Sequence, residues 1–204
     1  MNNQTPRPVS YSRTMMTELV MPNDTNPLGH LMGGNLMRWM DIAGGICAAR
    51  HCGAHAVTAS VDNVSFAKPI HLGDVITIKA CVTRAFTTSV ELYLEVFTTS
   101  YFGADLEKSN HAYMTFVALD SRTSRPKEVP HVIPETEEEK ALFAGAARRR
   151  EVRLVLAGRL KPEDAVQLFL QDGVFHPDAH LHAALGVAGE EVAGGDIGAG
   201  VDPI

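Results

Sequence analysis

One carboxylate is unusual because of the segment in which it lies. Asp41 follows LMRWM at residues 36–40 and precedes Ile42 and Ala43, so most of its neighbours along the chain are apolar. A carboxylate in such surroundings is unfavourable unless it is paired or takes part in chemistry, where it can act as a general base. Arg38 offers the simpler explanation, because residues three apart on a helix can form an exposed ion pair. Both interpretations stay open on these residues alone.

The loop before this segment carries further candidate groups. Gly33 and Gly34 allow close approach to backbone N–H groups, and the N-terminus of a following helix favours developing negative charge. They could therefore form an oxyanion site, or simply a tight turn that requires glycine. Asn26 contributes an amide donor and an acceptor to the same loop, and its structural alternative is an Asx-turn before Pro27.

These groups together predict a site for acyl hydrolysis. The carboxylate and the amide could hold a water molecule while the glycine N–H groups polarise a carbonyl, which requires neither a Ser nor a Cys nucleophile. The sequence contains no Gly-x-Ser-x-Gly, P-loop, Gly-x-Gly-x-x-Gly or His-Glu-x-x-His motif that would indicate another chemistry. His176, His180 and His182 are spaced closely, but no carboxylate-rich segment accompanies them, and we expect no metal site.

The candidate residues lie on a loop and on a helix. Residues 22–35 contain two prolines, three glycines and three asparagines, which is typical of a structured loop. From Asn35 to about His51, apolar residues recur at helical spacing and occupy nearly every face. This pattern predicts a buried helix with Asn35 as its N-cap.

Five other segments alternate between apolar and polar residues with period two, which predicts antiparallel strands with one packed face. They are residues 13–21, 57–66, 75–84, 90–98 and 111–119. One long buried helix and five such strands indicate an α+β fold in which the sheet curls around the helix.

The charge is divided unevenly along the chain. Of 204 residues, 45% are hydrophobic and the formal net charge is −6, which is a globular composition. Residues 1–130 hold eleven basic and eleven acidic residues, whereas residues 131–204 hold seven and thirteen and therefore carry the whole imbalance. An acidic chain does not favour binding to nucleic acid or to an anionic membrane, because both need a basic surface.

The composition predicts four sections. Residues 1–12 are polar with two prolines and predict a flexible arm, and residues 13–130 predict the folded domain. Residues 131–185 predict a C-terminal helical extension that includes a second helix at 162–170. Residues 186–204 hold six glycines, four acids and no basic residue, which predicts a disordered tail.

The cysteines and the apolar runs indicate a compartment. Cys47, Cys52 and Cys81 lack metal-ligand spacing, which is typical of reduced thiols in a reducing environment. The first twenty residues show no basic segment followed by an apolar one, and no apolar run is long enough to cross a bilayer. We expect a soluble cytoplasmic protein that does not bind a membrane.

Several of these segments resemble the signature of hotdog-fold acyl-CoA thioesterases, bacterial and cytosolic enzymes that hydrolyse acyl-CoA. The first is PNDTNPLGHLMGG at residues 22–34, and it is followed by LMRWMD at residues 36–41. The others are VTASVDNVSF at 57–66 and PETEEEKALF at 134–143. Together they cover roughly residues 12–150 in the order of the family.

The resemblance implies a hotdog fold, in which an antiparallel sheet wraps around one long central helix, and hydrolysis of acyl-CoA to free fatty acid and CoA. It implies active sites at a dimer interface, where Asn26 of one subunit faces Asp41 of the other, and assembly into a trimer of dimers. Asp41 would be the general base or the nucleophile, Asn26 would position water or substrate, and the Gly34 amide would polarise the thioester carbonyl. CoA is then part of the substrate and product, and no separate cofactor is implied.

The phosphates of CoA require basic groups and N–H donors. The resemblance suggests that the coenzyme lies along the strand near Ser60 and the turn at 84–89, where this chain departs from many relatives by having Ala85 and Phe86. The candidate substrate-binding residues are Gly33, Ser60, Lys68, Arg84, Thr87, Thr88, Ser89 and Arg125.

Two other functions are compatible with a hotdog fold. A non-catalytic acyl-CoA-binding or regulatory protein would share the fold, but it would not need both Asn26 and Asp41. An enoyl-CoA hydratase is disfavoured, because Ile46 stands where the Asp-x4-His spacing of such hydratases would place a histidine.

Overall fold

The structure is a computed structural model, and it describes residues 5–66, 68–103, 105–162 and 164–165. Seven strands and three helices follow one another along this part of the chain, with a short 3-10 turn at Pro22–Asp24. In chain order they are β1 (Arg7–Pro8), α1 (Val9–Ser12), β2 (Thr14–Leu19), α2 (Gly33–Cys52), β3 (His55–Phe66), β4 (Val75–Ala85), β5 (Ser89–Thr99), β6 (Glu107–Leu119), β7 (Val132–Ile133) and α3 (Glu137–Leu156).

A five-stranded antiparallel sheet in the order β2-β4-β5-β6-β3 packs against α2. Period-two alternation places one set of side chains from the three central strands on the inner face, where they are fully buried. These are Ile76, Ile78, Ala80, Val82, Val90, Leu92, Leu94, Val96, Ala112, Met114, Phe116 and Ala118. The predicted α+β fold, with a sheet around one long helix, is confirmed.

The helix lies very close to the sheet at one point. A Cβ atom added to Gly44 would come within 2.9 Å of the Phe116 ring, which is shorter than real contacts of this kind. Glycine at this position therefore lets α2 rest directly on the ring, while Met40, Ala43 and Cys47 on either side fill the rest of the contact.

The predicted N-cap of α2 was wrong. The helix begins at Gly33 rather than at Asn35, and Met32 is its N-cap residue without a side-chain hydrogen bond. The Asn35 Nδ2 atom instead donates to the carbonyl of Asp24 at 3.3 Å, which fastens the preceding loop to the helix. Gly33 and Gly34 therefore belong to the first turn of the helix.

Residues 7–12 do not form the flexible arm that the sequence predicts. The backbone of Arg7 donates to the carbonyl of His131 at 2.9 Å, and β1 pairs with β7 in parallel. Val9 is only 1% exposed, and the Arg7 guanidinium donates to the carbonyls of Arg50 and His51 at the end of α2. These contacts satisfy helix-terminal carbonyls with a positive charge.

A buried ion pair holds α3 against the outer face of the sheet. Glu91 points away from α2 and is fully buried, and Arg149 donates to its carboxylate through Nη2 at 2.8 Å and Nε at 3.1 Å. Thr83 also donates to this carboxylate at 2.7 Å, and the Arg149 guanidinium lies 3.9 Å from the centroid of the Tyr113 ring. The fixed geometry of these groups sets where the helix sits on the sheet.

Packing divides the chain into two units, residues 1–150 and 151–204. Within the second unit, α3 ends at Leu156, and the N–H groups of Arg159 and Leu160 donate to the carbonyl of Leu154. Most of the predicted helix at 162–170, the histidines at 176, 180 and 182, and the predicted tail at 186–204 lie outside the described residues.

Replacement of Arg149 by Ala tests the ion pair. It would leave the Glu91 carboxylate buried without its cation, and we expect the free energy of unfolding to fall by about 3–5 kcal/mol, measured by urea denaturation. Lys140→Ala, which breaks an exposed pair with Glu137, is the control and should change it by less than about 1 kcal/mol. Equal effects of the two substitutions would contradict the role given to Arg149.

Candidate active site

Gly34 and Asp41 line the same cavity. They are seven residues apart on α2, which is two helical turns, so they lie on the same face of the helix. The cavity has a volume of about 280 Å³, and its other lining residues are Met37, Arg38, Met40, Val61, Val64 and Met114. The structure thus brings together two of the residues that the sequence singled out, in surroundings that are mainly apolar.

Asp41 accepts a hydrogen bond from Thr58. The Thr58 Oγ1 atom on β3 donates to Asp41 Oδ1, which fixes the carboxylate relative to the sheet. No ion pair among the described residues joins Arg38 to Asp41, so the simpler explanation for this carboxylate is not supported. Sequence reasoning missed Thr58, although it belongs to the VTASVDNVSF segment that carries the family resemblance.

A β-bulge in β3 explains why Thr58 reaches the helix. Thr58 pairs with Phe116, and the register then shifts so that Val61 pairs with Met114. Phe116 and Met114 both face α2, so the extra residue keeps Thr58 and Val61 on the inner face although they are three positions apart. The bulge therefore supplies both the partner of the carboxylate and a wall of the cavity.

The first-turn N–H groups of α2 are available to a ligand. In the part of the chain that the structure describes, the N–H groups of Gly33 and Gly34 donate no hydrogen bond. A Cβ atom added to Gly34 would meet nothing within 4 Å, whereas one added to Gly33 would lie 3.4 Å from the Phe66 ring. Packing within the described chain therefore does not require glycine at position 34, and the space beside its N–H is open to a ligand.

Asn26 forms the Asx-turn that was its structural alternative. Its Oδ1 atom accepts hydrogen bonds from the backbone N–H groups of Leu28 at 2.9 Å and His30 at 3.2 Å. Its Nδ2 group has no hydrogen-bond partner among the described residues. Asn26 is not among the residues that line the cavity of Asp41, and no hydrogen bond joins the two side chains within the described residues.

Three of the predicted CoA-binding side chains have partners within the chain. Ser60 pairs with Thr115 across the sheet and donates its hydroxyl to Asp62. Lys68 forms an exposed ion pair with Glu107.

Arg84 is the third of these side chains. Its guanidinium donates to the backbone carbonyl of Phe143 at 3.3 Å and lies 4.5 Å from the centroid of the Phe143 ring. These contacts occupy Arg84 in holding α3.

The turn at 87–89 lies at the same end of the sheet as the first residues of β3. Ser89 pairs with Val117, which in turn pairs with Val57, the residue before Thr58. The carbonyls of Thr87 and Thr88 are engaged by backbone N–H groups, and their hydroxyls form no hydrogen bond within the described residues. Arg125 is exposed nearby, where its carbonyl accepts from the N–H of Asp120.

The cysteines do not supply a nucleophile. Burial raises the pKa of the Cys47 thiol to about 12 and the pKa values of Cys52 and Cys81 to about 11. Thiols with such values are protonated at neutral pH and unreactive. Within the described residues, no cluster of His, Cys, Asp and Glu could hold a metal ion, and none of the helices has the length and apolar character needed to cross a membrane.

Comparison with known proteins assigns the family. Residues 28–100 match the thioesterase superfamily. An uncharacterized acyl-CoA thioester hydrolase of Bacillus subtilis, YkhA, is 41% identical over 142 residues, which are 70% of this chain and 82% of that protein. The chain belongs to the hotdog-fold acyl-CoA thioesterases. The crystal structure of an apo-hexameric acyl-CoA thioesterase superposes with a TM-score of 0.72 at 37% identity, covering 75% of this chain and 97% of that one.

The Staphylococcus aureus acyl-CoA hydrolase adds a comparison of spacing. Its complex with butyryl coenzyme A, coenzyme A and coenzyme A disulfide superposes with a TM-score of 0.70 at 36% identity, covering 81% of this chain and 99% of that one. Variants of that enzyme carry Ala in place of an Asn, an Asp and a Thr that are 15 and 17 residues apart. Asn26, Asp41 and Thr58 have the same spacing.

The chain spans less than half the length of the mammalian thioesterases that it matches.

Two substitutions test the contribution of the Asn26 side chain to the stability of the turn. Asn26→Asp keeps an oxygen acceptor for the turn and should leave the melting temperature nearly unchanged, whereas Asn26→Ala removes it and should lower that temperature by about 2–4 °C. Differential scanning fluorimetry measures both, and Asn23→Ala at an exposed position of the same loop is the control. If Asn26→Ala melted like the control, the turn would not depend on this side chain.

Proposed function

We propose that this protein is a cytoplasmic acyl-CoA thioesterase, which hydrolyses the thioester of acyl-CoA to a free fatty acid and CoA. The observation that carries the proposal is that the N-terminus of α2, at Gly34, and the Asp41 carboxylate both open onto one apolar cavity. Apolar walls suit an acyl chain. The Gly34 N–H suits the negative charge that develops on the carbonyl oxygen, and the Asp41 carboxylate suits the proton that the attacking water gives up.

Each group has a defined part in the reaction. The Gly34 N–H donates to the carbonyl oxygen and stabilises the negative charge that develops there when water attacks. Asp41 accepts a proton from that water, while Thr58 holds the carboxylate in place. The C–S bond then breaks, and CoA leaves as a thiolate, which is a good leaving group because of its low pKa compared with an alcohol.

We take Asp41 as the general base, because its exposed carboxylate at the mouth of the cavity can hold the attacking water.

Asn26 completes the site from a second subunit in this proposal. The free Nδ2 group of Asn26 does not reach Asp41 of its own chain, so an arrangement across a dimer gives it a place at the reaction centre. β3 is an edge strand of the sheet, and Val57 and Val61 on it are exposed together with Ile42 on α2. An apolar edge of this kind supports pairing of two sheets. Similarity to a hexameric thioesterase supports a trimer of such dimers.

The CoA part of the substrate is proposed to extend from the cavity mouth towards the turn at 87–89. The hydroxyl groups of Thr87, Thr88 and Ser89 and the side chain of Arg125 are available there. The Gly33 N–H lies at the other end of β3, near Phe66, and is available beside Gly34. Ser60, Lys68 and Arg84 would have to exchange the contacts described above for contacts with CoA.

Asp41→Asn tests the base. The amide cannot accept the proton, so we expect kcat for thiol release from acyl-CoA, followed with a thiol reagent, to fall about 10²–10⁴-fold with little change in melting temperature. Asp105→Asn, which removes an equal charge from an exposed loop, is the control and should retain full activity. Full activity of Asp41→Asn would rule out this assignment.

The same assay distinguishes a non-catalytic acyl-CoA-binding protein. If the wild-type protein bound acyl-CoA in calorimetry but released no thiol at any acyl chain length, that alternative would replace the proposed function. Turnover that depends on Asp41 would exclude it.

Mixing two inactive variants tests the shared site. In a dimer of one Asn26→Ala subunit and one Asp41→Asn subunit, one site carries both substitutions and the other carries neither. Co-refolded equal amounts should regain about a quarter of the wild-type specific activity, because half of the randomly formed dimers hold one native site of two. The unmixed variants are the controls. Lack of recovery with verified mixed dimers would place Asn26 and Asp41 in the same subunit or remove Asn26 from the site.

A further inference from the structure

We propose that Met40 and Met114 close the inner end of the cavity and limit the substrates to short- and medium-chain acyl-CoA. This inference rests on the proposed function and adds the chain-length class to it. Both methionines line the cavity and are almost completely buried, at 1% and 2% exposure. They therefore form its floor, whereas Gly34, Met37, Arg38 and Asp41 are exposed and form its mouth.

The floor is part of the protein core and not of a movable surface. Met114 pairs across the sheet with Val61 on β3 and with Leu92 on β5, and Leu92 is fully buried. Met40 belongs to the same apolar cluster from the helix side. An acyl chain that passed Asp41 would therefore end against two close-packed side chains that belong to this chain alone, whatever a partner subunit adds at the mouth.

The volume of the cavity sets the approximate length of the chain. Ligand pockets commonly have volumes of about 300–1,000 Å³, so the cavity of about 280 Å³ lies at the small end of this range. It therefore suits a short or medium acyl chain, and a palmitoyl group would have to leave part of its chain in solvent. Each methylene that becomes buried should raise kcat/KM about fourfold, and those beyond the floor should add nothing.

The methionines also determine how sharp this limit is. Met37 lies at the exposed mouth, and its methionine side chain is unbranched and adapts to irregular space. We therefore expect a broad optimum over neighbouring chain lengths rather than selection of a single acyl group. Beyond that optimum, the tightly packed floor should give a clear decline.

The test is a profile of kcat/KM over saturated acyl-CoA substrates from butyryl to palmitoyl. Met114→Ala and Met40→Ala deepen the floor, and each should move the optimum to longer chains, with a gain of about tenfold on the longer chains. Val61→Leu adds volume to a wall that is 38% exposed, so it should fold normally and move the optimum to shorter chains. Met15→Ala, at a position 69% exposed on β2, is the matched control and should leave the profile unchanged.

The outcomes separate this inference from the proposed function. Opposite shifts for the deepened and the narrowed cavities would support the floor. The floor would be overturned if all variants folded and kept the wild-type profile, or if the wild-type optimum lay at palmitoyl. Either outcome would leave the thioesterase proposal in place. Absence of thiol release from every substrate by the wild-type protein would overturn both. Should the floor variants fail to fold, the wild-type profile decides, since an optimum at palmitoyl contradicts the inference and a decline beyond medium chains supports it.

Discussion

The contact between α2 and the inner face of the sheet is the constraint on which the other features depend. It brings the helix so close to Phe116 that residue 44 has space for no side chain, and it buries one side of the helix. A helix held in this way cannot slide or rotate without opening the core. Its N-terminus and the residue two turns further on are therefore fixed in space, and a polar group on the remaining exposed face has a defined position. The rigidity that catalysis requires thus comes from hydrophobic packing.

The bulge in β3 turns this scaffold into a site. A regular strand would alternate strictly and could not direct both Thr58 and Val61 towards the helix. Because the register shifts by one residue between them, the hydroxyl group reaches Asp41 and the apolar side chain borders the space beside it. One irregularity in the ladder therefore accounts for a polar contact and an apolar wall within a few ångströms.

The sequence predicts the fold and part of the site. The features that it does not predict have physical explanations. The helix and the strands follow from local periodicity, which the structure preserves. The prediction that the helix is buried on nearly every face was wrong, because Met37, Asp41 and Ile42 are exposed. Thr58 was missed because a bulge is a property of two paired strands and leaves little trace in one of them. Asn35 was assigned as an N-cap because its residue type suits that role, yet a bond to Asp24 occupies its side chain. Residues 7–12 look like a loose segment in isolation, and their order depends on contacts with residues more than forty positions away.

The pairing of Glu91 with Arg149 has a consequence for synthesis of the chain. The two residues are 58 positions apart, so at ordinary translation rates the carboxylate waits about 3–12 s for its partner after it leaves the ribosome. During that interval the sheet can form around α2 while its outer face is still uncovered. A carboxylate on the central strand of that face opposes the stacking of nascent sheets against one another, because such stacking would bury it unpaired. The arrival of α3 then neutralises the charge, and the same residue that protected the incomplete domain becomes the anchor of the finished one.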